Sequence, residues 1–144
     1  MKLKRIEIKN YRTIENIAID FEDYYTAICG KNNCGKSNIL RALLYIFNAF
    51  KYERLNYNSD YPIWKMSNTN KEPIFILVNI QLLKDSDIGL IKFLKFFSSG
   101  RTESSGEVEV LTDTNLEIKV WVSSKSKDSK TEISIDGIPL DDKY

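Results

Sequence analysis

Residues 30–37 read Gly-Lys-Asn-Asn-Cys-Gly-Lys-Ser, and the hydrophobic period changes across them. Before them, 24–29 (YYTAIC) is a short, apolar, β-prone run that stops at Gly30, which predicts a buried strand. After them, Ile39, Leu40, Leu43, Leu44, Ile46, Phe47 and Phe50 recur at three- and four-residue spacing. That period predicts a helix from Lys36 to residue 52. A strand, a glycine-bounded turn and a helix in immediate succession form the unit from which α/β folds are built, so an all-α or all-β fold is excluded.

The spacing of this turn, G-x-x-x-x-G-K-[ST], is that of a phosphate-binding loop. A polyphosphate needs several N–H donors converging on its oxygens, and glycine lets the backbone turn tightly around it without a Cβ in the way. A helix that begins at Lys36 aims its N-terminal dipole and unpaired N–H groups at the anion. The Lys36 ammonium can reach the outer phosphates, and the Ser37 hydroxyl can ligate a Mg²⁺ that bridges phosphate oxygens. The expected ligands are therefore a polyphosphate and Mg²⁺, the polyphosphate being ATP by the family resemblance given below. The expected nucleotide contacts are Gly30, Lys31, Asn32, Asn33, Cys34, Gly35, Lys36, Ser37 and Asn38, with Ser37 as the metal ligand.

Strand patterns flank this unit. Residues 6–9 and 17–21 alternate apolar and polar, predicting two opening strands. Residues 56–71 are polar, Asn/Ser-rich and interrupted by Pro62, predicting a loop with Trp64 tucked back onto the body. A long β-prone run, 74–83, precedes a helical pattern over 88–97. Residues 98–106 read as a linker, and 107–111, 116–122 and 131–136 as three antiparallel strands. Residues 123–130 form a hairpin tip between the last two strands, and Asp136-Gly137 is a turn signal. The organisation expected is one partial domain over 1–144: a core with opening strands, loop and helix at 1–55, and a β lobe with one helix at 72–144.

Composition removes several chemistries. Histidine is absent, so no Ser-His-Asp triad, Cys-His pair or His-ligated metal can arise within these residues. Two cysteines, Cys29 and Cys34, cannot build a disulfide scaffold or a four-thiolate zinc site. They read as reduced thiols acting as small apolar fillers in a cytosolic protein. Lys and Arg number 21 against 20 Asp and Glu, a formal net charge of +1, which excludes a globally basic nucleic-acid coat. No run of 18 apolar residues occurs and the charged N-terminus is not a signal peptide, so the expectation is a cytoplasmic protein without a membrane partner. Residues 1–12 carry five Lys/Arg against one Glu, and the preferred reading is a solvated edge strand whose lysines discourage aggregation.

The first fifty residues, MKLKRIEIKNYR through GKNNCGKSNILRAL, resemble the N-terminus of ABC-type ATPases of the SMC/RecF class. That class includes the double-strand-break repair ATPase and the overcoming-lysogenisation-defect (OLD) family. The loop and the following NILRAL look most like the OLD-type branch, the AAA_15/AAA_23 group. The resemblance implies a P-loop NTPase fold: the N-terminal half of an ABC-ATPase head, with an antiparallel β lobe after the P-loop helix. It implies that Arg12, in the Asn10-Tyr11-Arg12 element, lies near the bound nucleotide. It also implies work in DNA repair or phage defence, DNA as a candidate partner, and a nuclease-type domain after the ATPase in the OLD branch.

Hydrolysis in this class needs an apolar strand ending in Asp-Glu, a signature loop and a switch histidine, and none is found here. Asp85, Asp87, Asp141 and Asp142 read as solvated turn carboxylates, and Gln81 lies too early to be the class's metal-sensing glutamine. ATP hydrolysis is therefore expected only of a longer or assembled form, completed by a second ATPase subunit or a missing C-terminal half. The competing expectation is a non-catalytic DNA-binding or regulatory module that keeps the P-loop only as a fold element.

Overall fold

The computed structural model describes residues 1–32, 34–48, 55–98, 112–126 and 129–140. Their centre is a six-stranded antiparallel sheet with strand order β2-β1-β3-β4-β5-β6. The strands are β1 (Lys2–Tyr11), β2 (Ile14–Asp20), β3 (Ile74–Leu82), β4 (Thr114–Val122), β5 (Lys130–Ile135) and β6 (Ile138–Pro139). Among the described residues three α-helices, α1 (Lys36–Asn48), the single turn α2 (Tyr57–Asp60) and α3 (Ile88–Ser98), and one 3-10 turn, Ile63–Lys65, accompany them. One sheet thus draws strands from both the first and the last third of the chain.

Register explains the core. Because side chains alternate across a strand, Ile6 and Ile8 of β1 share a face with their partners Val78 and Ile76 of β3. The same face continues through Ile118 and Val120 of β4 to Ile133 of β5. Ile39, Ala42 and Ile46 of α1 and Ile91 of α3 join it in one buried cluster. Ile6, Ile8, Ile74, Ile76 and Val78 are fully buried there. The opposite face is more polar: Arg5 pairs with Asn79, Glu7 with Leu77, Leu77 in turn with Lys119, and Glu117 with Ser134. Lys119 binds Glu117 at 2.9 Å on that face.

Several expectations change. β1 is an interior strand between β2 and β3, not an edge. Three of its basic residues are held in pairs, with Lys2 and Lys4 on Asp23, the second at 2.5 Å, and Arg5 on Asp20 at 2.7 Å. Residues 24–29 form no strand: Tyr24 is 99% and Tyr25 82% exposed. The run is apolar enough for a strand, but no described strand lies beside it to pair its N–H and C=O groups, so it stays irregular and solvated. Cys29 and Cys34 are free and exposed rather than buried fillers. Residues 56–71 are more ordered than a loop, with Asn56 capping α2 through a 2.9 Å bond to the Asn58 N–H. Trp64 stays half exposed, and Leu55, Tyr57, Tyr61 and Pro62 fill the core instead. The remaining strands and α3 fall where the pattern places them, and Asp136 and Gly137 make the β5–β6 turn with φ of 47° and 82°. The strand expected at 107–111, the end of the first helix at 49–52 with Phe50, most of the 98–106 linker, Asp141 and Asp142 lie outside the described residues.

A candidate phosphate-binding loop and its supports

The loop of 30–37 feeds directly into α1. Gly35 has φ of 97°, a left-handed conformation that glycine adopts freely. It packs under the β1–β2 turn: a Cβ there would lie 3.1 Å from Thr13 Oγ1. At the other end, a Cβ on Gly30 would lie 2.9 Å from the Cys34 sulfur, so the loop closes on itself. The Gly35 carbonyl accepts from the N–H groups of Asn38 at 2.9 Å and Ile39 at 3.2 Å, which starts the helix. Gly35→Ala is expected to lower stability by about 1–2 kcal/mol, through the left-handed φ and the contact with Thr13, in urea unfolding.

The Lys36 side chain curls back over the loop. Its ammonium donates to the carbonyls of Gly30 and Lys31, both at 2.6 Å, and lies 3.7 Å from the Cys34 sulfur. A closed turn with no room for a Cβ at Gly30, one cation centred over it and a helix start beneath it fit an anionic polyphosphate. When bound, ATP would be held by the loop backbone and Lys36. Mg²⁺ would be held by the exposed Ser37 hydroxyl, which neighbours Lys36 in the first turn of α1. The metal would supply charge neutralisation between phosphate oxygens. Asn33 lies outside the described residues; Lys31, Asn32 and Cys34 are exposed along the loop.

The Asn38 side chain is engaged by the β1–β2 turn, its Nδ2 donating to Thr13 Oγ1 at 2.7 Å. Thr13, which the motif does not include, is thus the residue that ties the β1–β2 turn to the start of α1. Arg12 precedes it with φ of 53° but engages other partners. Its Nε donates to Asp60 Oδ1 at 2.9 Å, its N–H to the Asp60 carbonyl at 2.6 Å, and its guanidinium lies 5.5 Å from the Tyr11 ring centre. Asp60 is buried and also accepts from the Asn56 N–H at 3.0 Å. The position implied for Arg12 therefore belongs first to a clamp between the β1–β2 turn and α2.

A second set of bonds braces that clamp. The buried Asn10, with φ of 52°, donates through Nδ2 to Glu72 and to the Pro73 carbonyl, both at 3.1 Å, and accepts from Lys65 Nζ at 3.0 Å. Lys65 also pairs with Glu15 at 2.8 Å, which holds its ammonium above the usual lysine range. Tyr57 stacks on Tyr61 with ring centres 4.5 Å apart, and burial pushes its phenol well up. Asp60→Ala removes the Arg12 partner and the cap on Asn56 together. Arg12 is about one-third exposed and regains water, so the expected loss is about 2 kcal/mol in urea unfolding. The polar composition of 56–71 hides this support, and only Asn56 as an N-cap was a usable signal.

A family model described as "AAA ATPase domain" (AAA_15) matches residues 1–144. The DNA double-strand break repair Rad50 ATPase of Aeropyrum pernix is 49% identical over 43 residues, 30% of this chain and 5% of that protein. The DNA replication and repair protein RecF of Lactococcus lactis is 44% identical over 46 residues, 32% of this chain and 13% of that protein. The chain thus spans only a small part of these relatives' length. A solved structure from work on ATP-driven dimerisation and DNA-stimulated activation of SMC ATPases superposes with a TM-score of 0.53 at 17% identity, covering 98% of this chain and 73% of that one. Its fold, a mixed α/β P-loop NTPase with an antiparallel sheet, is the fold seen here. The chain belongs to the AAA ATPase domain family and is related to Rad50 and RecF.

Proposed function

We propose that this chain is the nucleotide-binding N-terminal part of a DNA-acting ATPase head, holding Mg-ATP through Gly30, Lys31, Asn32, Asn33, Cys34, Gly35, Lys36 and Ser37. The observation that carries the reading is the Lys36 ammonium bonded to two loop carbonyls over a closed turn at a helix start. Asn38 and Arg12 act as supports: Asn38 fixes the helix start to Thr13, and Arg12 fixes the turn to Asp60. The finer reading is the OLD-type branch in the cytoplasm, in DNA repair or phage defence, with a nuclease-type domain alongside. Its support is the loop and the NILRAL that follows it.

Hydrolysis belongs to an assembly in which further ATPase polypeptide, as a second subunit or a C-terminal half, completes the site. Two features support that partner. Leu40, Leu44 and Phe47 leave a second apolar stripe of α1 exposed, at 56%, 57% and 49%. Tyr24 and Tyr25 stand exposed in the β-prone run beside the loop, where an added strand would pair their backbone. Calorimetric titration with a non-hydrolysable ATP analogue, with and without Mg²⁺, tests the reading. Metal-dependent binding is expected, and no binding under either condition overturns it.

A further inference from the structure

The polar face of the sheet carries one cross-strand row unlike its neighbours. Register aligns Lys9 of β1, Phe75 of β3, Trp121 of β4 and Lys130 of β5. Lys9 Nζ lies 5.8 Å from the Phe75 ring centre. In the adjacent row Lys119 is neutralised by Glu132 at 3.8 Å and by Glu117 of the row beyond at 2.9 Å. Beyond the aromatic row the surface opens into two cavities. One, of about 250 Å³, is lined by Trp121, Ser123, Lys125, Ser126 and Lys130. The other, of about 350 Å³, includes Lys71, Glu72 and Ser124, and shares Lys125 with the first. Lys9, Lys71, Lys125 and Lys130 are all exposed. Glu72, the acid among the described cavity residues, is engaged by Asn10.

From this juxtaposition we propose that the outer face of the sheet around Trp121 is a binding track for single-stranded nucleic acid. Lys71, Lys125 and Lys130 take successive phosphates, and Trp121 gives an unpaired base a surface to stack on. The chemistry favours a single strand over a duplex. A cavity lined by one indole and by serines takes a splayed base, whereas a duplex keeps its bases stacked inside and offers only phosphates. The lysines need no overall basic charge to act, since three cations converge on adjoining cavities in a chain whose net charge is only +1. This track goes beyond the nucleotide reading and lies on the sheet face opposite the one that packs α1.

Fluorescence anisotropy of the full chain with a labelled oligothymidylate of roughly 12 nucleotides tests it, over a salt series. Binding is expected to fall roughly tenfold in Lys125→Ala/Lys130→Ala, with the salt slope shallower by about 1.4 as two phosphate contacts are lost. The double variant changes only exposed side chains, and unaltered Mg-ATP binding by it confirms that it is folded and separates this site from the loop. In a Trp64→Phe background, the remaining Trp121 emission is expected to be quenched by the oligonucleotide. Equal affinity for a duplex of the same length, an unchanged salt slope in the double variant, or unquenched Trp121 emission would each overturn the proposal.

Discussion

Lys36→Ala is expected to reduce Mg-ATP affinity by at least about 100-fold, read by calorimetry. Two effects of the substitution act in the same direction. In the unliganded loop the ammonium bridges the Gly30 and Lys31 carbonyls, so its removal takes away the bonds that hold the loop in its closed shape. In the proposed bound state the lysine would be the cation that meets the outer phosphates, and charge-assisted bonds of this kind are worth about 1.5–3 kcal/mol each. Losing the equivalent of one to two such bonds is about 3 kcal/mol, hence the factor of about 100. The side chain bonds only to its own loop and to no core residue in these contacts, so the thermal midpoint should move little. Lys36→Arg keeps the charge but places a planar fork where a point donor meets two carbonyls, and should recover only part of the affinity. ATP binding that survives Lys36→Ala unchanged would remove the loop from the nucleotide site.

Ile76→Ala should cost about 3–4 kcal/mol in urea unfolding, the largest stability loss expected of any single change discussed. Ile76 is fully buried in β3, paired with Ile8 of β1 on one side and Val120 of β4 on the other. Truncation leaves a cavity at the middle of a close-packed row that rigid neighbours cannot fill. Natural domains are stable by only about 5–15 kcal/mol, so the variant should be visibly compromised. β1 also carries the turn that touches Gly35 and Asn38. Nucleotide affinity should therefore weaken under conditions that begin to unfold the variant while the wild-type chain stays native. A loss below about 1 kcal/mol would show that the core closes over the gap, contrary to the packing described.

Legibility followed burial and period. β3 is apolar at nearly every position and β4 and β5 alternate, so their patterns announced strands. α1 and α3 showed three- and four-residue spacing and formed where expected over the described residues. Residues 24–29 had the composition of a buried strand and did not become one, because strand formation depends on a partner that local sequence does not reveal. The clamp of Arg12, Asp60, Asn10 and Lys65 was invisible for the opposite reason: its residues are polar, and polar stretches look alike whether they are solvated or paired in the interior.

The sequence by itself determined the chemistry of the loop. The spacing from Gly30 to Ser37 and the period change at Lys36 are local properties, set by backbone sterics and by which residue types can face a phosphate. The tertiary structure alone decided what holds that loop in place and what lies on the far side of the sheet. Thr13 under Gly35, Asp60 on Arg12, and the row from Lys9 to Lys130 all join residues distant along the chain. Such contacts depend on strand order and register, which arise when alternating faces from separate segments are buried together, and no single segment encodes them.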